Sequence, residues 1–183
     1  MAIWSKVRWT QARQVTRLLG VKDAEAPAES VSPAAHFEAL KADGALSAAV
    51  SFLGVALPRY EGVAWATGVL GALPSDETNP GDRLALAAAR RWVEDPDEPR
   101  RREAYDAAGR ADDDAPERLL GFAVFMSGGS IAPPDQGAVN PDPEVCGKLA
   151  AAAIITAAHR SPDANSQLAA ALEAGEKYAT GEA

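Results

Sequence analysis

Histidine and cysteine are almost missing from this chain. Its 183 residues hold two histidines, His36 and His159, and one cysteine, Cys146. Enzyme sites that can be recognised in a sequence draw mostly on those residue types as bases, nucleophiles or metal ligands. No CxxC or HExxH spacing occurs, so neither a structural zinc site nor any other metal or cofactor is expected. One cysteine cannot close an internal disulfide. No long apolar run is present either. The longest, Leu149 to Ala158, is far too short to span a bilayer. The opening MAIWSKVRWTQARQ lacks the apolar core of a secretory signal, so a bacterial-type cytoplasmic address is expected.

Alanine is abundant instead, at 41 of 183 residues. It is the best helix former and the smallest side chain that still packs. Apolar residues make up 47% of the chain, enough for a core. The net charge of −8 repels phosphate backbones, so no nucleic-acid partner is expected; it suits a basic protein partner. Charge is unevenly placed. Residues 1–20 carry Lys6, Arg8, Arg13 and Arg17 and no acid. Residues 94–117 hold ten acids against four arginines. Two solvated faces explain this adequately; a basic arm and an acidic patch offered to partners is the functional alternative.

Helix signals recur along the chain, separated by turn residues. Thr10 can cap a helix that Gly20 ends, and Ser32-Pro33 opens a second. Asp43 is placed to cap a third, with Leu46, Val50, Leu53 and Leu57 on one face. RYEGVAWATGVLGAL follows Pro58, and Asn79-Pro80 starts GDRLALAAARRWVED, whose Leu84, Ala88 and Trp92 share a face while Asp82 and Glu94 can stay wet. A charged RRREAYDAAGR, a helix ERLLGFAVFMS capped by Asp114-Ala115-Pro116, an alanine-rich EVCGKLAAAAIITAAHR and a last helix restarted by Ser161-Pro162 complete the set. No strand-like alternation is found. The expected fold is all-α: a compact irregular bundle of about seven to eight helices, with the helices at 59–73 and 145–158 central because they are apolar on nearly every face. Gly62, Gly68, Gly71 and Ala150 to Ala153 would allow close helix approach there. A basic N-terminal segment, 1–22, precedes a single helical domain, 32–180. A Pro/Gly-rich loop occupies 127–144. Loops of that length in compact domains are often functional.

Candidate chemistry is thin. Cys146 and His159 lie 13 residues apart on one helix, ~20 Å along its axis and on different faces, so they cannot form a nucleophile–base pair. His36 reads as a surface residue. Asp112-Asp113-Asp114 lacks the alternation, glycine and closing glutamate of a calcium loop. Ser127-Gly128-Gly129-Ser130 resembles an anion-cradling turn, but it follows a helix and runs into Ile131-Ala-Pro-Pro134, so it reads as a helix stop that sets the course of the loop. Near Pro58, Arg59 and Glu61 are suited to satisfying the backbone of that loop, and Glu61 shares a helix face with Trp65. Trp65 is either a core residue or part of an Arg–Glu–Trp binding surface. The candidate binding set is therefore Arg59, Glu61, Trp65, Ser127, Gly128, Gly129, Ser130, Pro133 and Pro134, with no catalytic residue and no metal ligand. The two prolines suggest one fixed loop conformation.

Three segments in order carry a resemblance. HFEALKADGALSAAVSFLGVALPRYEGVAWA, LALAAARRWVEDPDEPRRREAYDAAG and GFAVFMSGGSIAPP with the alanine-rich helix after it resemble an uncharacterised family of bacterial helical proteins, over about residues 32–160. That family shows an ALPRREAVWWA-like helix, a WV-x-DP-x-x-x-x-R-x-x-A segment and an SGGS-x-APP loop. Here Tyr60 stands at the second arginine-like position and Ala64 at the first of the two tryptophans. Members are often encoded near type VI secretion components. The resemblance implies a non-enzymatic accessory or adaptor role in such a system, with another protein as partner. An immunity protein that neutralises a toxin is the alternative, since acidic helical domains suit basic partners. A carboxylate-only enzyme, using Glu61 with Asp135, is a further one.

Overall fold

The computed structural model describes residues 3–73, 79–133 and 135–183. Nine α-helices stand among the described residues, above the seven to eight expected, and no strand: α1 Ala12–Leu18, α2 Pro33–Ala42, α3 Leu46–Ala56, α4 Arg59–Ala72, α5 Pro80–Glu94, α6 Glu98–Ala108, α7 Pro116–Phe125, α8 Val145–His159 and α9 Ala164–Thr180. Their starts follow from side chains that replace missing helical acceptors. Ser32 accepts from the Ala35 amide, Asn79 from Asp82, Asp97 from Arg100 and Asp163 from Ser166. Proline in the first turn of α2, α5, α6 and α7 supplies the right φ without wasting a donor.

Four expected caps differ. The α1 start is capped by Gln11 and Gln14 rather than Thr10; the Gln14 side chain accepts from the Thr10 and Gln11 amides. Asp43 ends α2 instead of beginning α3. The next residue, Gly44, takes φ +71, and the amides of Gly44 and Ala45 return to the carbonyls of Lys41 and Leu40. A glycine free to turn left makes this sequence a helix stop. Within the expected cap Asp114-Ala115-Pro116 it is Ala115 that precedes α7, with no side-chain cap, and α9 is capped by Asp163, two residues after the expected restart at Ser161.

The central pair is α4 and α8, as their all-round apolar character predicts. α8 packs against α3, α4, α7 and α9, and α4 also against α5 and α7. Trp65 of α4 is fully buried, and its indole Nε1 donates to the Ala171 carbonyl of α9 at 2.8 Å. Close approach comes from glycines other than those expected. A Cβ on Gly147 of α8 would strike the backbone of Gly54 and Val55 in α3. One on Gly175 of α9 would lie 2.6 Å from both Leu53 and Trp65, and one on Gly121 of α7 would lie 2.8 Å from the Ala104 carbonyl of α6. By contrast Gly68 is exposed, Gly62 has only the Gly54 carbonyl at 3.7 Å, and Gly71 faces the flexible end of Arg90.

The α5 helix is rotated slightly from the expected register. Ala85, Ala88, Ala89 and Trp92 form its buried stripe, while Leu84 is 50% exposed. Asp82 is buried rather than wet, because its Oδ1 accepts from the Asp112 amide at 3.0 Å. The basic N-terminal segment lies on the bundle. Trp4 is buried edge-on against Phe37 of α2, the Lys6 amide donates to Ala179, and Ser5 Oγ donates to Thr180. Arg13 and Arg17 pair with Glu29 and Asp23. Among the described residues no helix is long and apolar enough to cross a membrane.

Two substitutions test this packing. Trp92→Ala removes a buried ring that stacks on Tyr60 and should cost ~3–5 kcal/mol. Tm should then fall by about 6–20 °C. Gly147→Ala should destabilise by roughly 1–3 kcal/mol through overpacking, whereas Gly128→Ala, with open space around its Cα, should be close to neutral in thermal melts.

Candidate functional site

The loop after α7 is held from below by arginines. Arg101, on α6, is 3% exposed. Its Nη1 donates to the Phe125 carbonyl at the end of α7, and its Nη2 donates to the Ser130 carbonyl at 2.8 Å. The guanidinium plane lies over the Phe125 ring, 4.6 Å from its centroid. Arg102, one residue on, donates to the carbonyls of Ser130 at 3.2 Å and Ala132 at 3.1 Å. From the other side Arg59, at the start of α4, donates to the Ser127 carbonyl at 3.1 Å. Three guanidiniums from two helices thus satisfy carbonyls that no helix or sheet partner reaches.

Glu98 orients two of them. It occupies the first turn of α6 and receives Arg101 Nε at 2.6 Å and Arg102 Nε at 2.7 Å, the three- and four-residue spacings that share a helix face. The hydrogen bond from Arg101, helped by its charge and by the hydrogen bond and charge of Arg102, holds the Glu98 carboxyl below its ordinary range against the opposing effect of burial.

The loop also fastens itself. Ser130 Oγ accepts from the amides of Ala132 and Val139, at 3.1 and 3.0 Å, and the Ile131 amide donates to Val139 O at 2.8 Å. Gly129 takes φ +66, and a Cβ there would come within 3.1 Å of both Arg101 and Glu98. The positive φ favours glycine at 129, and a Cβ would press on the ends of both side chains; around Gly128 there is open space. With the carbonyls turned inward, Pro133 and residues 135–140 are exposed, and Val139 is 52% exposed.

The residues singled out in the sequence separate into groups. Arg59, Ser127, Gly129 and Ser130 meet at the loop. Glu61 is half-buried and joins no hydrogen bond or ion pair among the described residues, so it does not fasten the loop. Trp65 belongs to the core and presents nothing to a surface: it shares a face with Glu61 but lies one turn further along α4, where α9 covers it. Gly128 is half-buried and Pro133 exposed, while Pro134 lies outside the described residues. Asp135 is exposed, and no hydrogen bond joins it to Glu61. Arg101 and Arg102, the main anchors, were not singled out. A signal existed: in the WV-x-DP-x-x-x-x-R-x-x-A pattern, the arginine is Arg101 and the last alanine is Ala104, the residue on which Gly121 packs.

Neither histidine nor the cysteine enters the loop site as a reactive group. His159 is exposed at the end of α8. His36 is half-buried rather than superficial, edge-on to Phe52 with ring centroids 4.9 Å apart, and burial lowers its pKa. Cys146 is buried, 3.8 Å from the Arg59 carbonyl, and burial pushes its thiol up to about 12 against a weaker opposite pull from Arg59. Among the described residues, no group of three or more His, Cys, Asp or Glu side chains is placed to hold a metal ion.

What the geometry defines is an all-α bundle that presents an arginine-clamped loop. The chain belongs to DUF6931, a family of unknown function, which matches residues 36–179. No curated protein and no solved structure matches it.

Three outcomes follow from this geometry. Arg101→Met should remove charge-assisted bonds from buried carbonyls and cost ~2–4 kcal/mol, read as a fall in denaturation midpoint with helix content kept. Because folding lowers the pKa of Glu98, its contribution is complete above the ordinary carboxylate pKa and is lost as pH falls through the lower, folded value. Limited proteolysis in the 127–139 loop should therefore accelerate on acidification in the wild type, and Glu98→Gln should be cut faster already at neutral pH. Cys146, protonated and buried, should resist disulfide-exchange reagents at neutral pH until the protein unfolds; rapid native labelling would contradict its placement.

Proposed function

We propose that the chain is a non-enzymatic protein-interaction module whose recognition surface is the 127–139 loop. One observation carries this reading: three arginines from two helices take the carbonyls of Ser127, Ser130 and Ala132 at the base of the loop and leave Pro133 and residues 135–139 exposed. A loop set in one shape loses little conformational freedom on binding. A rigid helical scaffold bearing such a loop is a common way to build a recognition site.

The partner in this reading is another protein, and the role that of an accessory or adaptor of a bacterial, type VI-like secretion system. Support for that narrower assignment is the ordered likeness of the ALPRYEGVAWA, WVEDPDEPRRREA and SGGSIAPP segments to helical proteins encoded beside such systems. The charge of −8 favours a second reading, an immunity protein bound to a basic toxin. A photo-reactive amino acid at Val139, with one at exposed Glu173 on α9 as control, tests the proposal in the native host. A single protein cross-linked from Val139 and absent from Glu173 is the expected result, and its identity separates secretion component from toxin. The same products from both positions, or none from Val139, would remove the loop as recognition surface.

A further inference from the structure

Arg59 faces two ways. One nitrogen holds Ser127, and Arg59 also lines a cleft of about 320 Å³. The N-terminal segment lines the cleft through Arg8 and Trp9, and Leu57, Pro58, Arg59 and Pro143 line it from the rest of the chain. Arg8 and Trp9 lie outside the family match, which begins at residue 36.

We infer that this cleft binds a short acidic peptide segment of a partner protein, its carboxylate on Arg8 and Arg59 and a neighbouring aliphatic or prolyl side chain against Trp9 and Pro58. The inference rests on the protein-interaction reading above and supplies the partner's chemistry.

Charge complementarity carries it. Arg13 and Arg17 of the same N-terminal segment are each paired with an acid, but exposed Arg8 makes no ion pair or hydrogen bond among the described residues. Arg59 gives the loop a single bond and keeps its other donors. Among the described residues that line the cleft Glu144 is the one acid, and it lies 3.7 Å from Lys148, which offsets its charge. Pro58 and Glu144 also begin α4 and α8, and neither start has a side-chain cap; Glu61 in the first turn of α4 and Glu144 itself offset part of the positive potential of these helix ends, so the two arginines carry the attraction. On a chain of net charge −8, this is a local site for an anion. The apolar part of the lining explains why the anion should come with an apolar neighbour. Leu57 is buried and Pro58 half-buried, and Trp9 is half-buried while Trp4, Trp65 and Trp92 are all buried. The volume suits one or two side chains and falls at the small end of ligand sites.

The test uses the full chain and a phage-displayed library of random peptides. Enriched sequences should carry Asp or Glu beside an aliphatic residue or proline. Synthetic copies should change tryptophan emission on binding, since Trp9 is the ring they would cover. Arg8→Glu should weaken them roughly tenfold or more, and Arg8→Gln in the same direction by less; the exposure of Arg8 leaves the fold intact, which circular dichroism checks. No enriched peptide, basic or uncharged selections, affinity unchanged in Arg8→Glu, or full displacement by millimolar inorganic phosphate would each overturn the inference. A Val139 cross-link that persists in Arg8→Glu would remove the cleft and leave the loop reading standing. Loss of that cross-link in the wild type, with peptide binding intact, would do the reverse.

Discussion

A buried guanidinium sets the shape of the exposed part of this molecule. Arg101 sits under the end of α7 and bonds the last helical carbonyl, Phe125, and a loop carbonyl, Ser130, with one side chain. A charge this deep is tolerable only when its donors are matched by acceptors. The loop supplies the acceptors, and Glu98 supplies the compensating charge. Loop and arginine therefore depend on each other: without the Ser130 carbonyl Arg101 loses one of its buried acceptors, and without Arg101 the Phe125 carbonyl loses its donor and Ser130 keeps only Arg102.

That geometry descends from the smallest residues in the chain. α6 and α7 approach closely because Gly121 lies against Ala104 and Ala108. The approach places Arg101, three residues before Ala104, beneath the α7 terminus. On the opposite side, the glycine crossing of α3 and α8 and the fit of Gly175 against Trp65 hold α4 in the centre, so Arg59 at its first turn is fixed in place. Alanine and glycine bring backbones together, and the few long polar side chains act where the backbones diverge.

The all-α class and the central helices were legible because apolar patterning over ten or more residues averages out local exceptions. Proline-initiated starts at Pro33 and Pro80 were legible because proline and its cap act locally. Asp43 misled because an Asp-Gly pair is equally apt to stop a helix, and only the path of the chain decides. Leu84 and Asp82 exchanged environments through a small rotation of α5 that no local signal reports. At the site, Arg59 was legible from its neighbourhood. Arg101 was hidden in a run of three arginines, where charge reads as solvated surface. Its burial follows from the α6–α7 contact, a long-range fact, although its place in the WV-x-DP pattern marked it.

Amide hydrogen exchange tests the clamp most directly. Ile131 and Val139, whose amides are bonded within the loop, should exchange slowly in the wild type despite the exposure of the segment. In Arg101→Lys, whose ammonium cannot reproduce the fork, both should exchange as an open loop does, while amides in the middle of α4 and α8 keep their protection. Unprotected Ile131 and Val139 in the wild type, or unchanged protection in Arg101→Lys, would contradict the account.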